Sequence, residues 1–200
     1  NNSDLKTLSV TDKINLGKTG RQNFGDNFTS SVNSRTYTNT LNGRVNGTPI
    51  NYNFRFAVGS SSGLTLTVSE NGNQLISQNL NGYGSTSYVA GYAYPISTLF
   101  NGNLVDNRSV LNFSVNPSSV TSTGYLDYFT IQYEKELKAF SDNILFFSNS
   151  VSGTVEYFLN GFTSSNIKVF DITNFTDVKF VTNYSMLSGG ECRFQFYENT

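Results

Sequence analysis

Six Asn-Gly pairs punctuate this chain of 200 residues, at positions 42–43, 46–47, 71–72, 81–82, 101–102 and 160–161. Asn-Gly supplies the positive φ angles that a tight two-residue hairpin requires, and no other short motif signals a hairpin as strongly. Strand-like runs with period-2 alternation lie between the pairs. In the run from Ile50 to Val58, the residues Ile50, Tyr52, Phe54, Phe56 and Val58 fall on one face. Leu64-Thr65-Leu66-Thr67-Val68 repeats the scheme, and Asn71-Gly72 then turns the chain towards Gln74-Leu75-Ile76.

Further strands are expected at about 36–42, 86–92, 109–115, 125–137, 143–148, 153–159, 166–172, 177–182 and 192–197. Turn signals at this rhythm suit a sandwich or barrel rather than alternating β and α units. The best helix candidate is a short turn near Pro95-Ile96-Ser97-Thr98-Leu99-Phe100. No fixed-period repeat suggests a propeller or solenoid. The expected fold is all-β: a two-sheet antiparallel β-sandwich, jelly-roll-like, of about ten strands. Its core would draw on Tyr52, Phe54, Phe56, Leu64, Leu66 and Val68, on Leu111, Phe113, Val115, Phe129 and Ile131, and on Val155, Tyr157, Val169, Phe194 and Phe196. Residues 26–200 are expected to form one domain, and residues 1–25 an N-terminal edge strand or a linker.

Composition limits the chemistry. Charged residues make up 14% of the chain and the net charge is -1, so no basic stripe exists for nucleic acid. No apolar run approaches the roughly 20 residues of a membrane-spanning helix, and no signal peptide is visible. The chain opens on Asn1-Asn2-Ser3 rather than on methionine, as expected of a processed form or an excised piece. The chain has no histidine and a single cysteine, Cys192, which shares a strand face with Phe194 and Phe196 and is expected to be a buried apolar filler. A cysteine or serine nucleophile needs a base, usually histidine, so neither catalytic pairing can be built from these residues alone. Zinc sites made of His and Cys are excluded on the same count. Glu134 and Glu136 share the solvated face of their strand and keep it soluble rather than forming a glycosidase pair. The expectation is therefore no catalytic residues, no cofactor and no metal site.

Four residues still merit attention. In Gly124-Tyr125-Leu126-Asp127-Tyr128-Phe129-Thr130-Ile131-Gln132-Tyr133, strict alternation puts Asp127 on the same side as Phe129, Ile131 and Tyr133. An inward carboxylate must be hydrogen-bonded or paired, which makes Asp127 a structural anchor or the mark of a site, with the anchor preferred. Asp171, in Phe170-Asp171-Ile172-Thr173-Asn174, suits local turn bonding. Calcium at that turn is a second reading, without an EF-hand or nonapeptide repeat to support it. Tyr83 and Tyr94 flank a glycine-rich segment with Tyr88 and Tyr92 that could serve as a surface contact, while Tyr88 and Tyr92 read as packed strand residues. The absence of tryptophan weakens a carbohydrate platform there.

Gly124-Tyr125-Leu126-Asp127-Tyr128, its alternating strand and Glu134-Lys135-Glu136-Leu137 together resemble a motif in surface proteins of Bacteroidetes-type bacteria. The segment is similar to the β-rich region ahead of the peptidase domain in gingipain-like cysteine peptidases, especially the sortase of the type IX secretion system. Val169-Phe170-Asp171-Ile172-Thr173-Asn174 and the closing Arg193-Phe194-Gln195-Phe196 resemble later stretches of that region, in the expected order. The resemblance covers about residues 105 to 200, and residues 1 to 100 share only its texture. It implies a non-catalytic domain of an exported, cell-surface protein, acting as scaffold or interaction module for a peptidase domain whose cysteine and histidine lie beyond Thr200. The implied partners are adjacent domains of the same polypeptide or other surface and secretion proteins. A carbohydrate-binding or adhesin module and a structural subunit of an extracellular assembly are the rival readings, since sandwiches host all three roles.

Overall fold

The computed structural model describes residues 2–9, 14–15, 23–84, 91–147 and 152–198, with the backbone alone over 2–9 and 14–15. Among these the protein is all-β: sixteen strands, joined by turns and one short 3-10 segment at Val105–Asn107, with antiparallel pairing between β5 and β10, β10 and β7, β7 and β8, β11 and β4, β11 and β6, β6 and β9, and within the remaining small sheets. The chain divides into two compact units. One comprises Leu5–Leu41 with Asn46–Tyr133, the other Asn1–Asp4, Asn42–Val45 and Glu134–Thr200. The buried residues gather in two hydrophobic clusters, which the alternation rule does not reveal because it does not say which strands share a core.

The larger unit is a two-sheet sandwich. Its first sheet runs β1 (Asn2–Ser9), β11 (Gly124–Lys135), β6 (Ile50–Val58), β9 (Tyr92–Phe100), with β4 (Asp26–Phe28) also paired to β11. Its second runs β5 (Ser34–Thr40), β10 (Arg108–Pro117), β7 (Leu64–Glu70), β8 (Asn73–Leu80). From β5 to β11 the chain crosses between sheets at every connection except the β7–β8 hairpin, which gives the jelly-roll-like course. The alternation of β6 holds as read: Ile50, Tyr52, Phe54, Phe56 and Val58 are all buried. They meet Leu66 and Val68 of β7, Leu111 and Phe113 of β10, and Phe129 and Ile131 of β11 in one cluster. Phe54 and Phe113 cross edge to face at 5.1 Å, a favoured aromatic geometry. Asn71 (φ 48°) and Gly72 (φ 81°) make the two-residue turn between β7 and β8, with the left-handed backbone that Asn-Gly tolerates.

The segment Pro95–Phe100, read as a helical turn, belongs instead to β9. Proline cannot donate to a ladder and usually demotes a strand, but β9 lies last in its sheet, where a missing N–H costs nothing. Near the N-terminus, β1 takes the edge place beside β11, while β2 (Ile14–Asn15) pairs with β3 (Asn23–Phe24). Phe24 is buried against the Tyr125 ring.

The smaller unit is built on a three-stranded sheet ordered β12 (Gly153–Leu159), β16 (Glu191–Glu198), β15 (Tyr184–Leu187), together with a two-stranded hairpin of β13 (Val169–Asp171) and β14 (Lys179–Val181). Its core holds Tyr157, Leu159, Phe162, Ile167, Val181, Cys192 and Phe194, with Val155, Val169 and Phe196 partly buried around it. Tyr157 stacks on Phe194 at 5.2 Å. The strand expected over 143–148 is absent over 144–147. There Ser141 and Asp142, both at positive φ, close a tight turn in which Phe140 and Asn143 exchange backbone bonds.

Candidate functional site

Asp127 sits at a bulge. The β11–β6 register pairs Leu126 with Phe56 and then Tyr128 with Arg55, so Asp127 is the extra residue. A bulge shifts the alternation by one place. Leu126 is therefore buried on one side of the bulge and Phe129, Ile131 and Tyr133 on the other. The expectation that Asp127 shares the face of Phe129 fails for this reason. Its Oδ2 instead meets Arg55 Nη1 at 2.7 Å, and the Arg55 guanidinium lies 5.3 Å from the centre of the Phe24 ring. Carboxylate, guanidinium and ring thus tie β11, β6 and the 23–28 segment together.

The carboxylate that does face a core is Glu70, fully buried at the end of β7. Leu64, Leu66, Val68 and Glu70 share one face, so the alternation applied to Asp127 would have found Glu70 had it been carried two residues further. Its oxygens accept four hydrogen bonds: from Tyr52 Oη (2.7 Å), Ser109 Oγ (2.6 Å), the Val110 amide (2.7 Å) and Asn71 Nδ2 (2.8 Å). This acceptor links β6, β7 and β10 across the sandwich. Nearby, the Tyr37 hydroxyl donates to Asp26 Oδ2 at 2.8 Å. Burial, reinforced by that carboxylate, raises the Tyr37 phenol well above its usual range.

In the smaller unit, Asp171 Oδ1 accepts the Thr173 amide at 3.0 Å, and the Thr173 hydroxyl and amide hold the carboxyl below its usual range. Asn174 makes the matching turn with Thr176. Asp142 clasps a second turn. It accepts the Thr163 hydroxyl at 2.6 Å, the Thr163 amide, and the Ser164 amide at 3.2 Å, and the Thr163 hydroxyl contributes most to lowering its pKa. Between these features the β13–β14 hairpin displays apolar surface. Phe170 and Phe180 pair across it with rings 5.4 Å apart, both about half exposed, and Phe175 at the tip is 83% exposed. Valine or isoleucine pairs would hide more easily at such a hairpin; the sequence signal was the spacing of Phe170, Phe175 and Phe180 around turn residues.

Tyr94 is half-buried against the core and its hydroxyl donates to the Asn81 carbonyl at 3.0 Å. Tyr83 is half-buried, with its amide bonded to the Ser60 carbonyl. Tyr92, expected to be a packed strand residue, is 40% exposed. Tyr88 lies outside the described residues. Cys192 is fully buried beneath Phe194, and burial raises its thiol pKa. Glu136 lies just past β11 and is exposed, whereas Glu134, near the end of β11, is half-buried rather than on the solvated face expected for both. Among the described residues no three of His, Cys, Asp and Glu stand where they could hold one metal ion.

Fold and side chains together define an antiparallel β-sandwich protein in which one buried carboxylate, Glu70, and several partly exposed ones tie strands and turns to one another. Among solved structures, the chain is similar to dimeric latent PorU from Porphyromonas gingivalis, with a TM-score of 0.80 and 17% identity over 98% of this chain. It spans only 19% of that protein's length. Weaker likenesses reach a carbohydrate-binding module, CBM36, in complex with calcium and xylotriose (TM-score 0.42, 14% identity, 63% of this chain and 98% of that one). They also reach the CBM36-1 domain of a multidomain xylanase from the hindgut metagenome of Trinervitermes trinervoides (TM-score 0.40, 15% identity, 65% of this chain and 96% of that one). Scores of 0.42 and 0.40 do not establish a shared fold. No protein-family model and no curated protein matches the sequence.

Proposed function

We propose that this chain is a non-catalytic β-sandwich region of an exported, cell-surface protein similar to the gingipain-like sortase of type IX secretion. Its role is that of scaffold or interaction module for a cysteine peptidase domain of the same polypeptide, lying beyond residue 200. The observation that carries this reading is the PorU likeness, which spans 98% of this chain while accounting for 19% of a much larger protein. The order of the Gly-Tyr-Leu-Asp-Tyr, Val-Phe-Asp-Ile-Thr-Asn and Arg-Phe-Gln-Phe stretches supports it independently. The lack of histidine agrees with catalysis residing elsewhere. The exposed Phe170, Phe175 and Phe180 suit a face that a neighbouring domain covers.

Peptide mapping of the native polypeptide, isolated from its cells and read past residue 200, tests the proposal. The expected result is one continuous chain carrying an α/β domain with a reactive cysteine and a histidine. A native chain whose continuation lacks such a domain would overturn it.

A further inference from the structure

The six Asn-Gly pairs that mark the turns also carry a chemistry of their own. In Asn-Gly, the glycine backbone nitrogen can attack the side-chain carbonyl carbon of the asparagine, closing a succinimide ring and expelling ammonia. Attack needs the nitrogen within about 3–3.5 Å of that carbon. Glycine favours the approach because it has no Cβ and its backbone turns easily. Whether a pair reacts in the folded protein depends on how firmly its side chain, its peptide and its surroundings are held.

The fold holds five of the pairs. Asn71 Nδ2 donates to Glu70 Oε1 at 2.8 Å and the Asn71 amide to the Val110 carbonyl at 3.0 Å, so side chain and backbone are both anchored. Gly82 packs against the backbone of Ser60 and Ser61, and the Asn81 carbonyl accepts the Tyr94 hydroxyl. Gly102 lies against the Phe100 ring. Asn160 donates its amide to the Leu137 carbonyl at 3.0 Å and accepts the Ala139 amide at 2.7 Å, while Gly161 lies against the Ala139 backbone. Gly43 sits beside the Phe140 ring, and its carbonyl accepts the Glu136 amide at 2.8 Å.

Asn46-Gly47 is held by none of these devices. Both residues are exposed. Apart from the adjoining residues, no atom lies within 4 Å of where a Gly47 Cβ would stand. Among the described residues no hydrogen bond ties down Asn46 or Gly47. The carboxamide and the following peptide can therefore rotate towards each other without breaking a bond or displacing a neighbour.

We propose that Asn46 is a site of spontaneous covalent modification, converted to isoaspartate and aspartate ahead of the other five Asn-Gly asparagines. The Gly47 nitrogen gives up its proton and bonds to Asn46 Cγ. The Cγ–Nδ2 bond breaks, and the nitrogen leaves with that proton as ammonia. Water then opens the ring, at Cγ to give aspartate or at the main-chain carbonyl to give isoaspartate. No oxidant or reductant takes part. Either product adds one negative charge to a chain of net charge -1. Isoaspartate also lengthens the main chain by one methylene in the turn ahead of β6, where nothing packs on Gly47 to resist it.

Timed incubation of the folded native polypeptide in mildly alkaline buffer, followed by peptide mapping with mass spectrometry, tests this. We expect acid to replace amide at Asn46 about tenfold faster than at Asn71, the factor set by the hydrogen bond that Asn71 must first give up. Hydroxylamine, which cleaves succinimides, should cut first between Asn46 and Gly47. In urea, where the turns are lost, the six rates should converge. Asn46→Gln keeps an exposed carboxamide but must close a larger ring, so it should remove the early acidic product and leave the other five pairs slow. Three results would each overturn the proposal: Asn46 intact while another pair converts, all six converting at equal rates in the folded protein, or an early acidic product that persists in the folded Asn46→Gln variant.

Discussion

Replacing Glu70 with alanine removes the acceptor of four hydrogen bonds from a site with no exposed surface. The four donors are not equally affected. Asn71 is exposed and turns to water at little cost. The Tyr52 and Ser109 hydroxyls lie 3.0 Å apart, so one can donate to the other once the carboxylate has gone. That leaves one hydroxyl hydrogen and the Val110 amide without acceptors, each worth about 1–3 kcal/mol when buried. The removed side chain also leaves a cavity, while release of a buried carboxylate from its desolvated site offsets part of the loss. The net expectation is destabilisation by about 3 kcal/mol, within about 2–5. Glu70→Gln should cost less, about 1–2 kcal/mol, because its carbonyl can still take the Val110 amide while both hydroxyls reorient. Tyr52→Phe in the Glu70→Ala background should cost less than in the native protein, since the pair acts as a unit. With 12 tyrosines and no tryptophan, tyrosine near-ultraviolet circular dichroism during urea unfolding reports the transition. A Glu70→Ala midpoint shifted by less than about 1 kcal/mol, or costs for Glu70→Ala and Tyr52→Phe that simply add, would refute the reasoning.

Asp127→Ala should destabilise the larger unit by about 1–2 kcal/mol, because the Arg55 pair is only partly shielded from solvent; an unchanged urea midpoint would contradict this. Asp142 has its carboxyl pKa lowered in the fold, chiefly by the Thr163 hydroxyl, so its contribution is present above the unfolded value of about 3.9 and is lost as pH falls through the lower folded value. The stability gap between wild type and Asp142→Asn should accordingly be seen at neutral pH and close in acid, and a gap that widens in acid would show the sign to be wrong. Tyr37 has its phenol pKa raised, so its contribution is complete below about pH 10 and fades as pH rises above that; Tyr37→Phe should therefore flatten the alkaline limb of the stability profile.

Much of the sandwich was legible because its strands obey the simplest rule. In β6 and β7 the alternation is unbroken, and Asn71-Gly72 supplies the turn between β7 and β8. Legibility failed where local signals compete with tertiary context. Pro95 reads as a strand breaker, yet β9 is an edge strand that tolerates it. Asp127 was assigned to the wrong face because a bulge adds one residue without any mark in the sequence. Glu70 obeyed the rule and was overlooked, since a carboxylate ending an apolar run before Asn-Gly looks like the start of a solvated turn. The division into two cores was hidden for a deeper reason. Val155, Tyr157 and Phe194 follow the same alternation as Phe54 and Phe113, and periodicity does not reveal which strands pack together. Among the candidate contacts, Tyr83 and Tyr94 were read from a glycine-rich setting, but the Tyr94 hydroxyl is committed to the Asn81 carbonyl.

The proposed role is tested most directly by a peptidase assay on the native polypeptide and on this chain alone, each with and without Cys192→Ser. The account predicts turnover by the native polypeptide that a thiol-alkylating reagent abolishes and that Cys192→Ser leaves intact, because Cys192 is buried and has no histidine partner in this chain. It predicts no turnover by the 200-residue chain. Activity of the native polypeptide lost on Cys192→Ser, or reproducible turnover by the isolated chain, would contradict it.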